Sequence, residues 1–203
     1  MNIWNLKSIL YHYFRESFPF KQILDAENSN FRKLLQAVPF HPGVVVDIGS
    51  GTGNILKQVT SFWGEASERQ IILAVDRACK MIQLISKTGV ACPLIADACL
   101  LPIKNETSDL VCAIGITEYL SDLELFIREV ARISKPGAWI VVSVSPQNLF
   151  FYLRKLHLSA LYVHSAESIL EIMENQGFAL EKQSKTLMQT QFLFQKSIRT
   201  SPV

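Results

Sequence analysis

Residues Val44-Val45-Val46-Asp47-Ile48-Gly49-Ser50-Gly51-Thr52-Gly53-Asn54 constrain the fold more than any other stretch of this chain. A β-branched run this apolar predicts a strand buried on both faces of a parallel sheet. The alternating glycines at its exit reach backbone conformations closed to other residues, and they let main chain approach a ligand with no Cβ between. In open α/β sheets ligands collect at that carboxyl edge. The segment therefore predicts a nucleotide-like cofactor at the strand exit.

A dinucleotide fingerprint, Gly-x-Gly-x-x-Gly/Ala, requires a small residue at its last position to let helix and strand pack closely. Counted from Gly49, that position is Asn54, which disfavours a nicotinamide-type oxidoreductase. A phosphate loop is excluded because no Gly-Lys-Ser/Thr follows. The pattern is instead Asp47-x-Gly49-x-Gly51-x-Gly53, which by itself also suits a βα turn with no ligand. In this form it resembles the first motif of the class I S-adenosylmethionine-dependent methyltransferases.

At 203 residues the chain fits one domain with a sizeable core. Its 49% hydrophobic and 19% charged residues are those of a globular protein. A net charge of +2, with no basic block, gives no reason to expect nucleic acid as a partner. The four cysteines form no Cys-x-x-Cys pair and have no histidine at metal-ligand spacing, so no metal site is expected. They read as reduced, mostly buried thiols of a cytoplasmic protein. No signal peptide is evident at Met1, and no apolar run approaches the ~20 residues that span a bilayer.

Periodicity divides the chain into four parts. Residues 1–42 form a helical cap, with stripes at Ile3, Leu6, Leu10, Tyr13 and at Phe31, Leu34, Leu35, Val38, broken at Phe18-Pro19. Residues 43–145 form the cofactor-binding core. Its predicted strands are the segment before Gly49, Ile71–Asp76, Ala91–Ala96, Asp109–Gly115 and Trp139–Val144. Helices are predicted over 54–63, over 78–87 with Gly89 closing it, and from a capping box at Ser121-x-x-Glu124 through Ile133. Lys135-Pro136-Gly137 is expected to stop that last helix. Residues 146–164 are an aromatic-rich substrate lid, and 165–203 carry a Ser165-capped helix ending at Gly177 and two strands, Phe178–Leu187 and Thr190–Lys196. Alternating strands and helices imply an α/β, Rossmann-like fold with a parallel sheet covered by helices on both faces.

Asp47, Asp76 and Asp97 each close a predicted strand, at the edge where a ligand lies. Three carboxylates there suggest a ligand rich in hydrogen-bond donors, although each acid also suits the N-cap of the next helix. The resemblance assigns them separately. Asp76 corresponds to the acid that bonds the cofactor's ribose hydroxyls. Asp97, in Asp97-Ala98-Cys99-Leu100-Leu101-Pro102, corresponds to the acid that with the next N–H meets adenine. Asp47 corresponds to the acid that helps hold the glycine turn and the methionine end. Ser50, Arg77, Met81 and Gly115 complete the implied cofactor set, Arg77 either stacking on the purine or pointing to solvent. The motifs cover about residues 43–145 in the family's order, including the helix–Lys135-Pro136-Gly137–strand element. They imply a seven-stranded mixed sheet with the last strand antiparallel, S-adenosylmethionine as cofactor, and methyl transfer.

The acceptor should be read from whatever covers the sheet edge. Residues 1–40 and 146–164 hold 12 of the chain's 20 aromatic residues. Tyr11, Tyr13, Phe14, Phe18, Phe20, Phe150, Phe151 and Tyr152 predict an apolar pocket for a small, hydrophobic acceptor, or alternatively anchors for the helices. Lys7, Arg15, Arg154 and Lys155 suit an anionic headgroup or a peripheral lipid contact. No base declares itself. In Gly115-Ile116-Thr117-Glu118-Tyr119 the resemblance puts a histidine where Tyr119 stands, leaving Tyr119, Glu118, His157 and His12 as candidates, with His164 and His41 weaker still. Two other readings stay open: a non-catalytic binding subunit on this fold, and a methyltransferase acting on protein or RNA.

Overall fold

The computed structural model describes residues 20–64, 70–87, 89, 91–146 and 161–198. Helix α1 (Phe20–Leu35) precedes β1 (Val44–Ile48), and α2 (Asn54–Trp63) leads to β2 (Ile71–Asp76). Helix α3 (Cys79–Ser86) joins β2 to β3 (Cys92–Ile95), and β4 (Ser108–Ala113) runs into a 3-10 turn at Thr117–Tyr119. Then come α4 (Leu123–Ile133), β5 (Ser134–Val144), α5 (Ala166–Asn175), β6 (Phe178–Lys185) and β7 (Thr190–Lys196).

The strands form one seven-stranded sheet in the order β3-β2-β1-β4-β5-β7-β6. The pairs among β1 to β5 are parallel, and β7 runs antiparallel between β5 and β6. Successive strands step outward from β1 to β3 and then, from β4, the other way. The carboxyl ends of β1 and β4 therefore flank the point where the order reverses, which is where such sheets bind ligands.

The unbroken apolar run of β1 follows from burial on both sides. Val45 faces a layer of Phe31, Leu34 and Leu35 from α1 with Ile55, Leu56 and Val59 from α2. Val46 and Ile48 face Phe126, Ile127 and Val130 of α4 with Ile169 and Met173 of α5. Burying such a side chain contributes about 1.5–3 kcal/mol, so each layer fixes its helices firmly to the sheet. Among the described residues no helix is long and apolar enough to cross a membrane.

Several local expectations are corrected. Helix α4 is capped by Asp122, whose side chain accepts the Leu125 N–H at 2.8 Å, and not by Ser121. Lys135-Pro136-Gly137 lies inside β5 and not before it. There the pairing passes from Ser108–Ser134 to Leu110–Trp139, so the extra residues bulge out, with Gly137 at φ 77°. Strand β3 stops at Ile95, leaving Asp97 beyond it, and β1 continues one residue past Asp47. The thiols are free, yet only Cys112 is buried, while Cys79 and Cys92 are exposed and Cys99 is half-buried. Ser165 does cap α5, accepting the Ser168 N–H.

Candidate cofactor site

The chain folds back on itself immediately after β1. Gly49 N–H and Ser50 N–H both donate to the Val75 carbonyl, at 2.8 and 3.0 Å, so the turn is pinned to the end of β2. Ser50 Oγ donates to the same oxygen. Gly51 N–H then donates to Asp76 Oδ2 at 2.9 Å, and Ala78 N–H donates to Oδ1 at 2.8 Å. Gly49 sits at φ 74°, and a Cβ there would stand 2.9 Å from Ile116 Cδ1. Only glycine gives both the left-handed conformation and this approach.

These contacts frame an open cleft, whose space together with the solvent at its mouth amounts to about 770 Å³. Ile48, Gly49 and Gly51 form one wall, Asp76, Arg77 and Met81 a second, and Ala96, Asp97 and Ala98 a third. Gly115, Ile116, Tyr119 and Leu120 close the side toward β4. Asp97 is exposed at the rim, its Oδ1 accepting the Cys99 N–H at 2.9 Å. Each carboxylate oxygen carries two lone pairs, so Asp76 and Asp97 retain acceptor capacity toward a ligand.

Of the residues singled out from sequence, Gly49, Gly51, Asp76, Arg77, Met81, Asp97, Ala98, Gly115 and Tyr119 line this cleft. Ser50 is buried against β2, and Gly53 (φ 81°) is the residue from which α2 starts. Asp47 lies beneath the turn, 1% exposed, with Oδ2 buried and without a hydrogen-bond partner. Burial, reinforced by the nearby Asp76 carboxylate, raises its pKa from 3.8 to about 8. Alongside it in the sheet, burial and then Asp47 push the Cys112 thiol up.

Glu118 belongs to a separate small recess with Thr117, Val144, Ser145, Tyr162 and His164. It is 5% exposed, and its carboxylate accepts from Ser145 Oγ. Tyr162 N–H donates to the Glu118 carbonyl at 2.8 Å, and His164 Nε2 lies 2.8 Å from the Leu120 carbonyl. Residues 161–164 are thus tied to the turn that carries Tyr119 into the cleft. His41 packs beside Trp63, with ring centroids 6.0 Å apart. His12, His157, Lys7, Arg15, Arg154, Lys155 and the aromatic residues 11–18 and 150–152 lie outside the described residues. So does the first stripe of residues 1–42, and nothing is described for the Phe20 side chain.

Sequence reasoning missed Ile48, Val75, Ala96, Ile116 and Leu120 as cleft residues. The first three are strand-end positions that the predicted edge already implied. Ile116 carries no such signal, because its role depends on folding back across Gly49.

Strand order, glycine turn and edge cleft define a class I methyltransferase fold. A methyltransferase-domain family model matches residues 46–142. The malonyl-[acyl-carrier protein] O-methyltransferase of Marinomonas sp. is 32% identical over 145 residues, covering 66% of this chain and 50% of that protein. The chain thus spans about half the length of that relative. Among solved structures, the putative methyltransferase in complex with the Haloferax volcanii Trm112 activator superimposes with a TM-score of 0.78. It is 16% identical, and the match covers 97% of this chain and 99% of that one. Magnesium protoporphyrin IX methyltransferase from Synechocystis, with bound SAH, gives a TM-score of 0.70 at 17% identity, covering 89% and 88%. The chain belongs to the class I S-adenosylmethionine-dependent methyltransferases, and S-adenosylmethionine is the cofactor of that family.

Proposed function

We propose that this chain transfers the methyl group of S-adenosylmethionine to a small acceptor with an apolar body. The carrying observation is the cleft at the sheet's switch point, where the glycine turn, Asp76 and Asp97 converge. The residues present fit the cofactor: the Gly49 cradle has no space for a Cβ, and carboxylate acceptors stand at two corners. When bound, the cofactor supplies an electrophilic methyl carbon on a sulfonium.

Asp76 takes the ribose hydroxyls while holding the turn through Gly51. Asp97 and the Ala98 N–H meet the adenine edge, with Met81 beneath it and the Arg77 guanidinium across its face. The glycine turn and Gly115 bring main chain against the methionine half. Tyr119 faces the acceptor side, and the buried Glu118, its neighbour in the same turn, is a candidate to take a proton displaced from the acceptor. The chain's further task is to align the acceptor behind the methyl carbon and exclude water. An apolar acceptor is supported by the aromatic content of residues 1–40 and 146–164. It is also in keeping with the porphyrin acceptor named for the Synechocystis enzyme.

Calorimetric titration with S-adenosylhomocysteine tests the reading. Saturable binding at micromolar ligand is expected, and no heat at high micromolar concentration would sink it. The near-complete overlap with the Trm112-bound neighbour favours a second reading, in which an activator protein partners this chain as well. Full cofactor binding and turnover by the chain alone would exclude that dependence.

A further inference from the structure

Asp47 is a buried ionisable group that the cofactor contacts above leave unused. Its Oδ2 has no hydrogen-bond partner, and the side chain is 1% exposed. It stands in register between Ala74 and Cys112, under the layer formed by α1 and α2. Among the described residues, the titratable and charged groups around it supply no cation. Asp76 closes β2, Cys112 lies on β4, Arg32 of α1 is turned to Gln58 Oε1 at 2.7 Å, and Lys57 of α2 is exposed. Asp25, Lys21 and Lys33 of α1 are exposed as well. Of these, Asp76 is the one that acts on Asp47, and it acts by repulsion.

An isolated carboxylate in such a place is costly, and the group stays neutral instead. Yet the next two residues, Ile48 and Gly49, line the cleft, as does Asp76. A cation seated on the glycine turn would be felt strongly across this poorly polarisable wall. We propose that Asp47 is neutral in the free protein and gives up its proton to solvent when a cation-bearing cofactor seats on the glycine turn. The O–H bond of the carboxyl breaks, its proton passes to solvent, the carboxylate stays buried beneath the turn where the ligand's positive charge is felt through the wall, and no other bond changes. Cofactor binding is thereby linked to one proton, with Asp47 favouring the charged methionine half of the ligand. This rests on the cofactor reading above.

The test is calorimetry of the full chain with S-adenosylhomocysteine between pH 6 and pH 9, in buffers of different ionisation enthalpy. Close to one proton should be released per ligand at pH 6–7, and Kd should fall about tenfold per pH unit before levelling near pH 8. Asp47→Asn should bind with no proton released and a flat pH profile. Binding of 5′-methylthioadenosine, which lacks the ammonium, should release none from the wild-type chain even where Asp47→Asn fails to fold. A wild-type Kd independent of pH, or a proton still released by Asp47→Asn, overturns the proposal while leaving the cofactor reading intact. Equal release with 5′-methylthioadenosine overturns the coupling to the cation. Absence of any binding removes the cofactor reading itself, and this inference with it.

Discussion

The Asp76 carboxylate and the Gly51 N–H, 25 residues apart in the chain, meet at 2.9 Å. This bond makes one acid both a wall of the cleft and the brace of the turn opposite. Replacing Asp76 therefore removes two things together. Asp76→Ala should weaken S-adenosylhomocysteine binding by about 1.5–3 kcal/mol for each charge-assisted hydrogen bond lost, roughly tenfold to a hundredfold or more. Calorimetry decides it, and an unchanged Kd would show that the ribose lies elsewhere.

Gly49 tests the close approach on the other wall. Alanine there must adopt φ 74° with its Cβ 2.9 Å from Ile116. Gly49→Ala should destabilise the fold by about 1–3 kcal/mol. Trimming the neighbour in Gly49→Ala/Ile116→Ala should return part of the cofactor affinity, because the clash is relieved while the strained φ remains. A double variant binding no better than Gly49→Ala would mean that Ile116 is not what confines position 49.

Asp47 makes stability depend on pH in an unusual direction. Its pKa is about 8 folded against 3.8 as the ordinary value, so the folded state keeps a proton that the unfolded chain loses. The stabilisation is complete below pH 4 and is lost as pH rises toward 8, with a slope of up to about 1.4 kcal/mol per pH unit. Asp47→Asn lacks this slope, so its stability relative to wild type should improve steadily from pH 5 to pH 8. Urea unfolding at pH 5, 7 and 9 measures it, and parallel curves for the two proteins would refute the buried-acid account.

The cap of α4 separates two neighbouring residues. Asp122→Ala should cost about 1 kcal/mol by freeing the Leu125 N–H. Exposed Ser121→Ala should change stability by less than about 0.5 kcal/mol. Thermal melts of both variants suffice, and the reverse ranking would restore Ser121 as the cap.

Ser121 was the natural choice from sequence because Glu124 completes the capping-box spacing, yet Asp122 reaches the same turn and accepts more strongly. Such choices turn on a single φ, which spacing does not reveal. The positions of the parallel strands were legible for a different reason. Strands buried on both faces lack polar alternation, and the acids and glycines mark their carboxyl ends. Most of the cleft followed from those marks. Ile116 did not, because tertiary folding brings it over Gly49. Nor did the burial of Asp47, whose letter resembles that of Asp76. Its side chain turns toward α1 and α2, whereas Asp76 ends its strand at the open edge. The exposed Cys79 and Cys92 were misjudged because a thiol's type says little about a short edge strand or a helix start.

Asn54, the residue that excluded a dinucleotide site, has an amide partner. Its Nδ2–H donates to Asn28 Oδ1 at 2.8 Å, joining the start of α2 to α1. Gln191 Nε2–H donates to the Glu27 carbonyl, joining α1 to β7 as well. Phe31, Leu34 and Leu35 of that helix are wholly buried. The stretch matched by the family model begins at residue 46, after the whole of α1. That stretch is therefore not a separable module. A chain begun at residue 43 would expose the apolar surface that Phe31, Leu34 and Leu35 cover, and it should emerge from expression as an aggregate. The part of the sequence that looks most like an appendage is the part that closes one face of the sheet.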